Sequence, residues 1–188
     1  MARKKAVVDA AVARADQDRG LLLVLTGNGK GKSSSAFGML ARTLGYGHRA
    51  GVAQFIKSRR DTGEESFFGR HPGVEWHVLG EGFTWETQNR EQDGMIARQG
   101  WEVARRMLAD PDLHLVILDE LTYLINDGHL GLDDVLHDLR LRPPGQHVVV
   151  TGRAAPQALL DAADTVTEMK DVKHAFRAGI RAQPGIDL

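Results

Sequence analysis

The chain has 188 residues, 42% of them hydrophobic and 26% charged, and its 24 basic and 25 acidic side chains leave a net charge of -1. These values predict one globular domain over residues 1–188, and the near-neutral charge argues against general nucleic-acid binding. The absence of cysteine excludes disulfides, thiolate nucleophiles, Fe–S clusters and cysteine zinc sites. No apolar h-region follows the basic start, and no segment approaches the roughly 20 apolar residues of a membrane span. We therefore expect a cytoplasmic protein that does not bind membranes.

Buried apolar runs alternate with amphipathic segments along the chain. The first segment, residues 4–18, carries a modest apolar stripe of Val and Ala and predicts a helix within residues 1–19. The alternation predicts a mostly parallel sheet with helices on both faces, a three-layer α/β/α fold with the N-terminal helix outside the core. The predicted strands are 21–25, 50–56, 74–79, 113–118, 147–151 and 165–169, and the other predicted helices are 32–44, 91–108, 132–139 and 156–163.

A glycine-rich loop lies between the first strand and the next helix. Its residues 26–33 spell TGNGKGKS, a phosphate-binding loop in which Thr26 stands where glycine is usual. Alternating glycines let the backbone amides point inward at a helix N-terminus, Lys32 adds a positive charge, and the Ser33 hydroxyl can bind a magnesium ion. The alternative is an ordinary glycine-rich turn. The residues that we expect to bind the nucleotide here are Gly27, Asn28, Gly29, Lys30, Gly31, Lys32, Ser33 and Ser34.

Polar residues end several of the other predicted strands. Asp119 and Glu120 follow an apolar strand, as metal-binding carboxylates do in P-loop proteins, although such a pair can also cap the next helix. Gln54, Lys57 and Arg153 also lie at or just after strand ends, where ligands collect, and each could equally be a solvated loop residue. The eight histidines form no metal-binding spacing, and no dedicated catalytic base is visible.

Four segments together are similar to the ATP:corrinoid adenosyltransferase family, the type that includes cob(I)yrinic acid a,c-diamide adenosyltransferases. Beyond the phosphate loop they are GFTWETQNR at 82–90, LDELTY at 118–123, and TGR at 151–153 with VKHAFRAG at 172–179. The likeness extends over nearly the whole chain. Departures are mild, since Ser33 and Ser34 stand where threonines are common and two alanines follow the TGR turn.

The resemblance implies transfer of the 5′-deoxyadenosyl group of ATP to the Co(I) centre of a corrinoid, with release of tripolyphosphate. The corrinoid would be cob(I)yrinic acid a,c-diamide, cobinamide or cobalamin, in biosynthesis or salvage of adenosylcobalamin. A Co(I) nucleophile has no proton to remove, so a general base is unnecessary. The resemblance also implies Mg²⁺ or Mn²⁺ as cofactor, a reduced flavoprotein as electron donor and a homodimer.

The same resemblance suggests individual roles. Phe83 and Trp85 would pack under the corrin ring and displace its lower axial ligand, although core aromatics or a base-stacking platform are alternatives. Lys32 would act on the leaving triphosphate, and the metal would be bound by Ser33, Glu120 and Asp119, with Glu120 ranked first between the acids. The N-terminal helix, too weakly apolar for a principal core helix, would fold over the corrinoid.

Two other functions fit the phosphate loop. A small-molecule P-loop kinase or ATPase would use Glu120 to orient water or a hydroxyl, and it would release ADP rather than tripolyphosphate. A nucleotide switch would order a partner-binding loop such as 59–70 without forming an alkylated product.

Overall fold

The computed structural model describes residues 2–56, 62–80 and 90–186. Within them, six strands form one sheet: β1 (Leu22–Thr26), β2 (Arg49–Gln54), β3 (Val74–Val78), β4 (Leu113–Asp119), β5 (His147–Thr151) and β6 (Thr165–Glu168). The helices are α1 (Ala2–Arg14), α2 (Lys32–Gly45), α3 (Gly63–Phe68), α4 (Arg90–Ala109), α5 (Leu121–Asn126), α6 (Leu132–Leu141) and α7 (Gln157–Ala162), with a 3₁₀ turn at Ala175–Ala178.

Every strand pair in the sheet is parallel, and the strand order is β3-β2-β4-β5-β1-β6. Parallel neighbours need crossover connections, and the helices supply them. The six predicted strands and the predicted P-loop-type α/β fold are confirmed. The sequence did not predict the short helices α3 and α5.

Helices cover both faces of the sheet, and successive side chains of its central strands point to opposite faces, so both sets are buried. In β4, Val116 and Leu118 pack in the core cluster that includes residues of α4 to α7, whereas Leu115 and Ile117 pack in a second cluster with residues of α2. This alternation explains why the strands appear in the sequence as continuous apolar runs. Because the strands are parallel, the carboxyl ends of β1, β2, β4 and β5 lie side by side and form one edge of the sheet, its carboxyl edge.

None of the described side chains of the N-terminal helix α1 belongs to either core cluster. Its valines are largely exposed, with Val7 at 64%, Val8 at 59% and Val12 at 68%. This arrangement agrees with the predicted helix outside the core. In the described part of the chain, no helix combines the length and apolar character that crossing a membrane requires.

Candidate functional site

The loop between β1 and α2 lies against the backbone that follows β6. The Gly29 amide donates to the Met169 carbonyl at 2.7 Å, and Gly27 adopts a left-handed φ of 97°. A Cβ at Gly29 would lie 2.6 Å from the Lys170 carbonyl oxygen, and one at Gly27 would collide with the carbonyl of Met169. Only glycine fits these positions, and glycine therefore allows the loop to lie this close to the backbone that follows β6.

Lys32 is the first residue of α2, and its side chain forms hydrogen bonds with the loop that precedes the helix. Its ammonium donates to the carbonyls of Gly27 and Gly29, both at 2.8 Å. Burial lowers the pKa of Lys32, and the nearby Arg153 guanidinium lowers it further. Two of the three N–H donors of Lys32 thus hold the loop, and the third remains for a ligand. The helix N-terminus, which has no side-chain cap, adds partial positive charge at the same place.

Asp119 ends β4 and is completely buried. One carboxylate oxygen, Oδ1, accepts from the Ser33 hydroxyl at 2.8 Å and from the Thr151 hydroxyl at 2.7 Å. The other, Oδ2, accepts from the Gln54 side-chain amide at 3.1 Å. Three elements, α2, β5 and β2, therefore converge on one carboxylate.

The two predicted metal-binding acids have different surroundings. Glu120 has a left-handed backbone, with φ of 63°, and its side chain lines the cavity described below. Asp119 lies behind Ser33 and does not line that cavity. Gln54, predicted to contact the nucleotide, is only 1% exposed and contacts Asp119 instead of lining the cavity.

A tight turn after β5 carries Arg153 to the cavity. Gly152 and Ala154 both have positive φ angles, 147° and 47°. The Thr122 hydroxyl donates to the Arg153 carbonyl at 2.8 Å, and the Asn126 amide donates to the Ala154 carbonyl at 3.2 Å. The short helix α5, which supplies Thr122 and Asn126, therefore holds the turn from which the Arg153 guanidinium projects.

These elements surround a cavity of about 570 Å³, which is within the range of small-molecule sites. The phosphate loop from Asn28 to Ser34 forms one wall, and Glu120, Tyr123 and Arg153 line the sheet edge. The other described lining residues lie in α3 and the C-terminal segment, and they are Gly63, Glu64, Phe67, Phe68, His174, Gly185 and Ile186. A second cavity of about 530 Å³ shares Asn28, Arg153 and His174 and extends to Lys170 and Arg177.

Several of these lining residues were not among the sequence-derived candidates. Tyr123 lies three positions after Glu120. Had the helix α5 been predicted, this spacing would have placed Tyr123 near Glu120 and made it a candidate site residue. Burial raises the pKa of the Tyr123 hydroxyl. His174 also lines the cavity, although no role was predicted for its ring. No pattern in the sequence indicates that α3 and the residues near 185 would close the site.

The oxygen atoms at this edge suit a hard divalent cation. The Ser33 hydroxyl and the Glu120 carboxylate line the cavity, and Asp119 binds Ser33 from behind. Across the described ranges, no group of three or more histidine or acidic side chains is placed to hold a metal by itself. The Ser33 hydroxyl and the Glu120 carboxylate fit Mg²⁺, which is commonly bound by one or two protein ligands together with substrate phosphates.

Three of the predicted site residues, Lys57, Phe83 and Trp85, lie outside the described residues. The histidines His48, His114 and His147 lie at the opposite edge of the sheet. The rings of His48 and His114 stack at a centroid distance of 4.1 Å, and those of His114 and His147 meet edge to face at 4.8 Å.

Comparison with known proteins agrees with the resemblance. The family model described as ATP:corrinoid adenosyltransferase BtuR/CobO/CobP matches residues 18–188. A corrinoid adenosyltransferase of Pseudomonas aeruginosa is 60% identical, covering 100% of this chain and 93% of that protein. Corrinoid adenosyltransferase CobA of Salmonella typhimurium is 51% identical over 96% of this chain and 91% of its own length. The corrinoid adenosyltransferase of Escherichia coli is 50% identical over 98% and 94%.

Among solved structures, the flagellar accessory protein FlaH of Methanocaldococcus jannaschii superposes with a TM-score of 0.52 at 11% identity, covering 86% of this chain and 76% of that one. At that identity the likeness concerns the fold alone.

The close approach of the loop to Met169 leads to a prediction about stability. We expect Gly27→Ala to destabilise the protein by about 1–2 kcal/mol or more, because alanine disfavours the left-handed backbone and its Cβ meets the Met169 carbonyl. Gly38→Ala is the matched control: Gly38 lies within α2 with no atom within 4 Å of an added Cβ, so alanine should stabilise the helix by about 0.5–1 kcal/mol. Urea denaturation of both variants measures the difference, and equal stabilities would contradict this account of the loop.

Proposed function

The chain belongs to the ATP:corrinoid adenosyltransferase family, and from that premise we propose that it uses the described cavity to present the 5′ carbon of ATP to a Co(I) corrinoid. The Co(I) electron pair forms the cobalt–carbon bond, the bond between C5′ and its oxygen breaks, and tripolyphosphate leaves with that bonding pair. The cobalt centre is formally oxidised by two electrons. The observation that carries the proposal is the meeting of Lys32, Arg153, Ser33 and Glu120 around one cavity beside the phosphate loop.

The proposal assigns the loop and its cations to the triphosphate. Lys32 and Arg153 face the same cavity, and Lys30 also lines it. Negative charge on the triphosphate grows as the carbon–oxygen bond breaks, so cations held in place before the reaction stabilise the transition state more than the ground state. Binding and orientation, rather than proton transfer, are then the work of the protein.

Ser33 and Glu120 would hold Mg²⁺ or Mn²⁺ next to the triphosphate. When bound, the cation supplies charge neutralisation between phosphate oxygens. The Ser33 hydroxyl donates a hydrogen bond to Asp119, so the lone pairs of the Ser33 oxygen remain available to the cation. Asp119 and Gln54 thus serve the site through Ser33 rather than by contact with the nucleotide.

The finer points of the proposal depend on the family resemblance. They are a homodimer, a cytoplasmic location, a reduced flavoprotein as electron donor, and cob(I)yrinic acid a,c-diamide, cobinamide or cobalamin as acceptor. Light scattering of the purified chain tests the dimer, and relative kcat/KM values for the three corrinoids rank the acceptors.

The direct test is incubation with ATP, Mg²⁺ and chemically reduced corrinoid. We expect a light-sensitive adenosylcorrinoid spectrum and inorganic tripolyphosphate in equal amounts. Lys32→Ala should lower kcat on the order of 100- to 1,000-fold, as loss of one preorganised donor to a developing anion does in other enzymes. Arg140→Ala removes an exposed cation from the last turn of α6 and should leave kcat unchanged. Release of ADP without an adenosylated product would instead establish the kinase or ATPase alternative.

We propose, from the resemblance, that Phe83 and Trp85 exclude the lower axial ligand of the corrinoid. Their contribution is then complete once cobalt is already Co(I), which prefers no axial ligand. Phe83→Ala and Trp85→Ala should fail mainly in assays that begin with Co(II) and a mild flavin reductant, and they should recover with a strong chemical reductant. Lys32→Ala serves as the control because it should stay inactive in both assays. An equal deficit of the aromatic variants in both assays would limit their role to binding the ring.

We propose that α1 folds over the corrinoid. Its three exposed valines support this, as does the absence of its described side chains from both core clusters. Burying those valines against a ligand would contribute on the order of 1–3 kcal/mol. Deleting residues 1–16 should therefore raise the corrinoid KM about tenfold or more while the melting temperature changes little. A large fall in melting temperature with unchanged KM would assign the helix to the core instead.

A further inference from the structure

Three adjacent strands end in polar side chains that form a row at the carboxyl edge of the sheet. Gln54 of β2 pairs in register with Asp119 of β4, and Thr151 ends the next strand, β5. Thr151 is completely buried, and its hydroxyl lies between two functional positions, Asp119 and Glu120. Neither the sequence motifs nor the proposed reaction gives this hydroxyl a role.

The direction of each hydrogen bond at Thr151 follows from the chemistry of the groups. The Glu120 backbone N–H can only donate, and it does so to Thr151 Oγ1 at 2.9 Å. The single hydroxyl proton of Thr151 is therefore left for Asp119 Oδ1, at 2.7 Å. The same Oδ1 also accepts a hydrogen bond from the Ser33 hydroxyl at 2.8 Å. A continuous chain of hydrogen bonds thus runs from Glu120 through Thr151 and Asp119 to Ser33.

This chain of hydrogen bonds connects Ser33 and Glu120, the two cavity-lining residues proposed to bind the cation. Glu120 adopts a left-handed backbone, which costs a non-glycine residue roughly 1–2 kcal/mol. The bond from its N–H to Thr151 offsets part of that cost and holds the residue where its side chain lines the cavity. At the other end, the Thr151 hydroxyl helps to fix the Asp119 carboxylate that orients Ser33.

We propose that Thr151 is a positioning residue for the divalent cation that accompanies the nucleotide. It acts on Ser33 through Asp119 and on Glu120 through the backbone, without itself contacting substrate. The inference rests on the proposed function only in that a triphosphate and its cation occupy this cavity. The turn carrying Arg153 is held independently by Thr122 and Asn126, so the cation ligands are the part of the site that depends on the Thr151 hydroxyl.

The test compares ATP affinity in excess Mg²⁺ with ATP affinity in EDTA, measured by calorimetry with no corrinoid present. The ratio of the two affinities isolates what the cation contributes. In Thr151→Val this ratio should fall about 10- to 100-fold, as it does when hydrogen-bond partners of metal ligands are removed. Thr151→Ser restores the hydroxyl and should return the ratio to within about threefold of wild type. Thr151→Cys, whose thiol is a weak donor and acceptor, should resemble the valine variant and provides the test if that variant does not fold.

Gln146→Met is the matched structural control. Gln146 is also buried beside β5, but at the opposite edge of the sheet, where its amide donates to the carbonyls of Met107 and Asp110. Its loss should lower the melting temperature and leave the affinity ratio unchanged. Equal weakening of ATP binding in Mg²⁺ and in EDTA by Thr151→Val, or no weakening, would overturn the inference, as would a wild-type ratio of one. Because no transfer is measured, failure of the adenosylation assay would be a separate result.

Discussion

The buried charge of Asp119 is the constraint on which the rest of the site depends. A carboxylate that is fully removed from water is unfavourable by several kcal/mol unless hydrogen bonds replace its hydration. Here the donors are Ser33, Thr151 and Gln54, which belong to three different elements. They can meet because the parallel order β2-β4-β5 places three carboxyl ends side by side and α2 begins over the same edge. The hydrogen bonds that stabilise the Asp119 charge therefore also align the phosphate loop with the sheet.

The same cavity is lined by cations, Lys30, Lys32 and Arg153, whose positive charge a polyanion would neutralise. The pKa of Lys32 is lowered by burial and by Arg153, and Glu120 and Asp119 only partly oppose this effect. A triphosphate placed between the two cations would supply the missing counter-charge and favour the protonated lysine. The carboxylates, in turn, would repel the triphosphate unless a divalent cation stood between them. The same geometry thus accounts for affinity toward a nucleotide and for a cation requirement.

The sequence was sufficient to predict what depends on local pattern. Apolar runs identified the six strands, and alternating glycines followed by Lys32 and Ser33 identified the phosphate loop. The surroundings of Gln54 show what a local pattern does not predict. At the end of a strand this residue resembles a ligand-binding residue, yet its register opposite Asp119, a partner 65 positions away, turns it into the core. The left-handed backbone of Glu120 and the proposed linking role of Thr151 likewise depend on contacts between residues distant in the chain, which local propensities do not predict. The short helices α3 and α5 lack a clear period over their six residues.

The hydrogen bonds of Asp119 also bear on the kind of chemistry that the site can perform. An ionised carboxylate offers about four lone-pair positions, and Ser33, Thr151 and Gln54 occupy three of them. Asp119 thus accepts hydrogen bonds from three separate elements, and it does not line the cavity where a substrate hydroxyl would bind. A kinase reaction asks for a group that positions a hydroxyl or receives its proton, whereas a Co(I) nucleophile arrives without a proton. Asp119 therefore orients Ser33 and does not line the cavity, which leaves the described cavity-lining carboxylates, Glu64 and Glu120, as the groups that a kinase reaction would have to use.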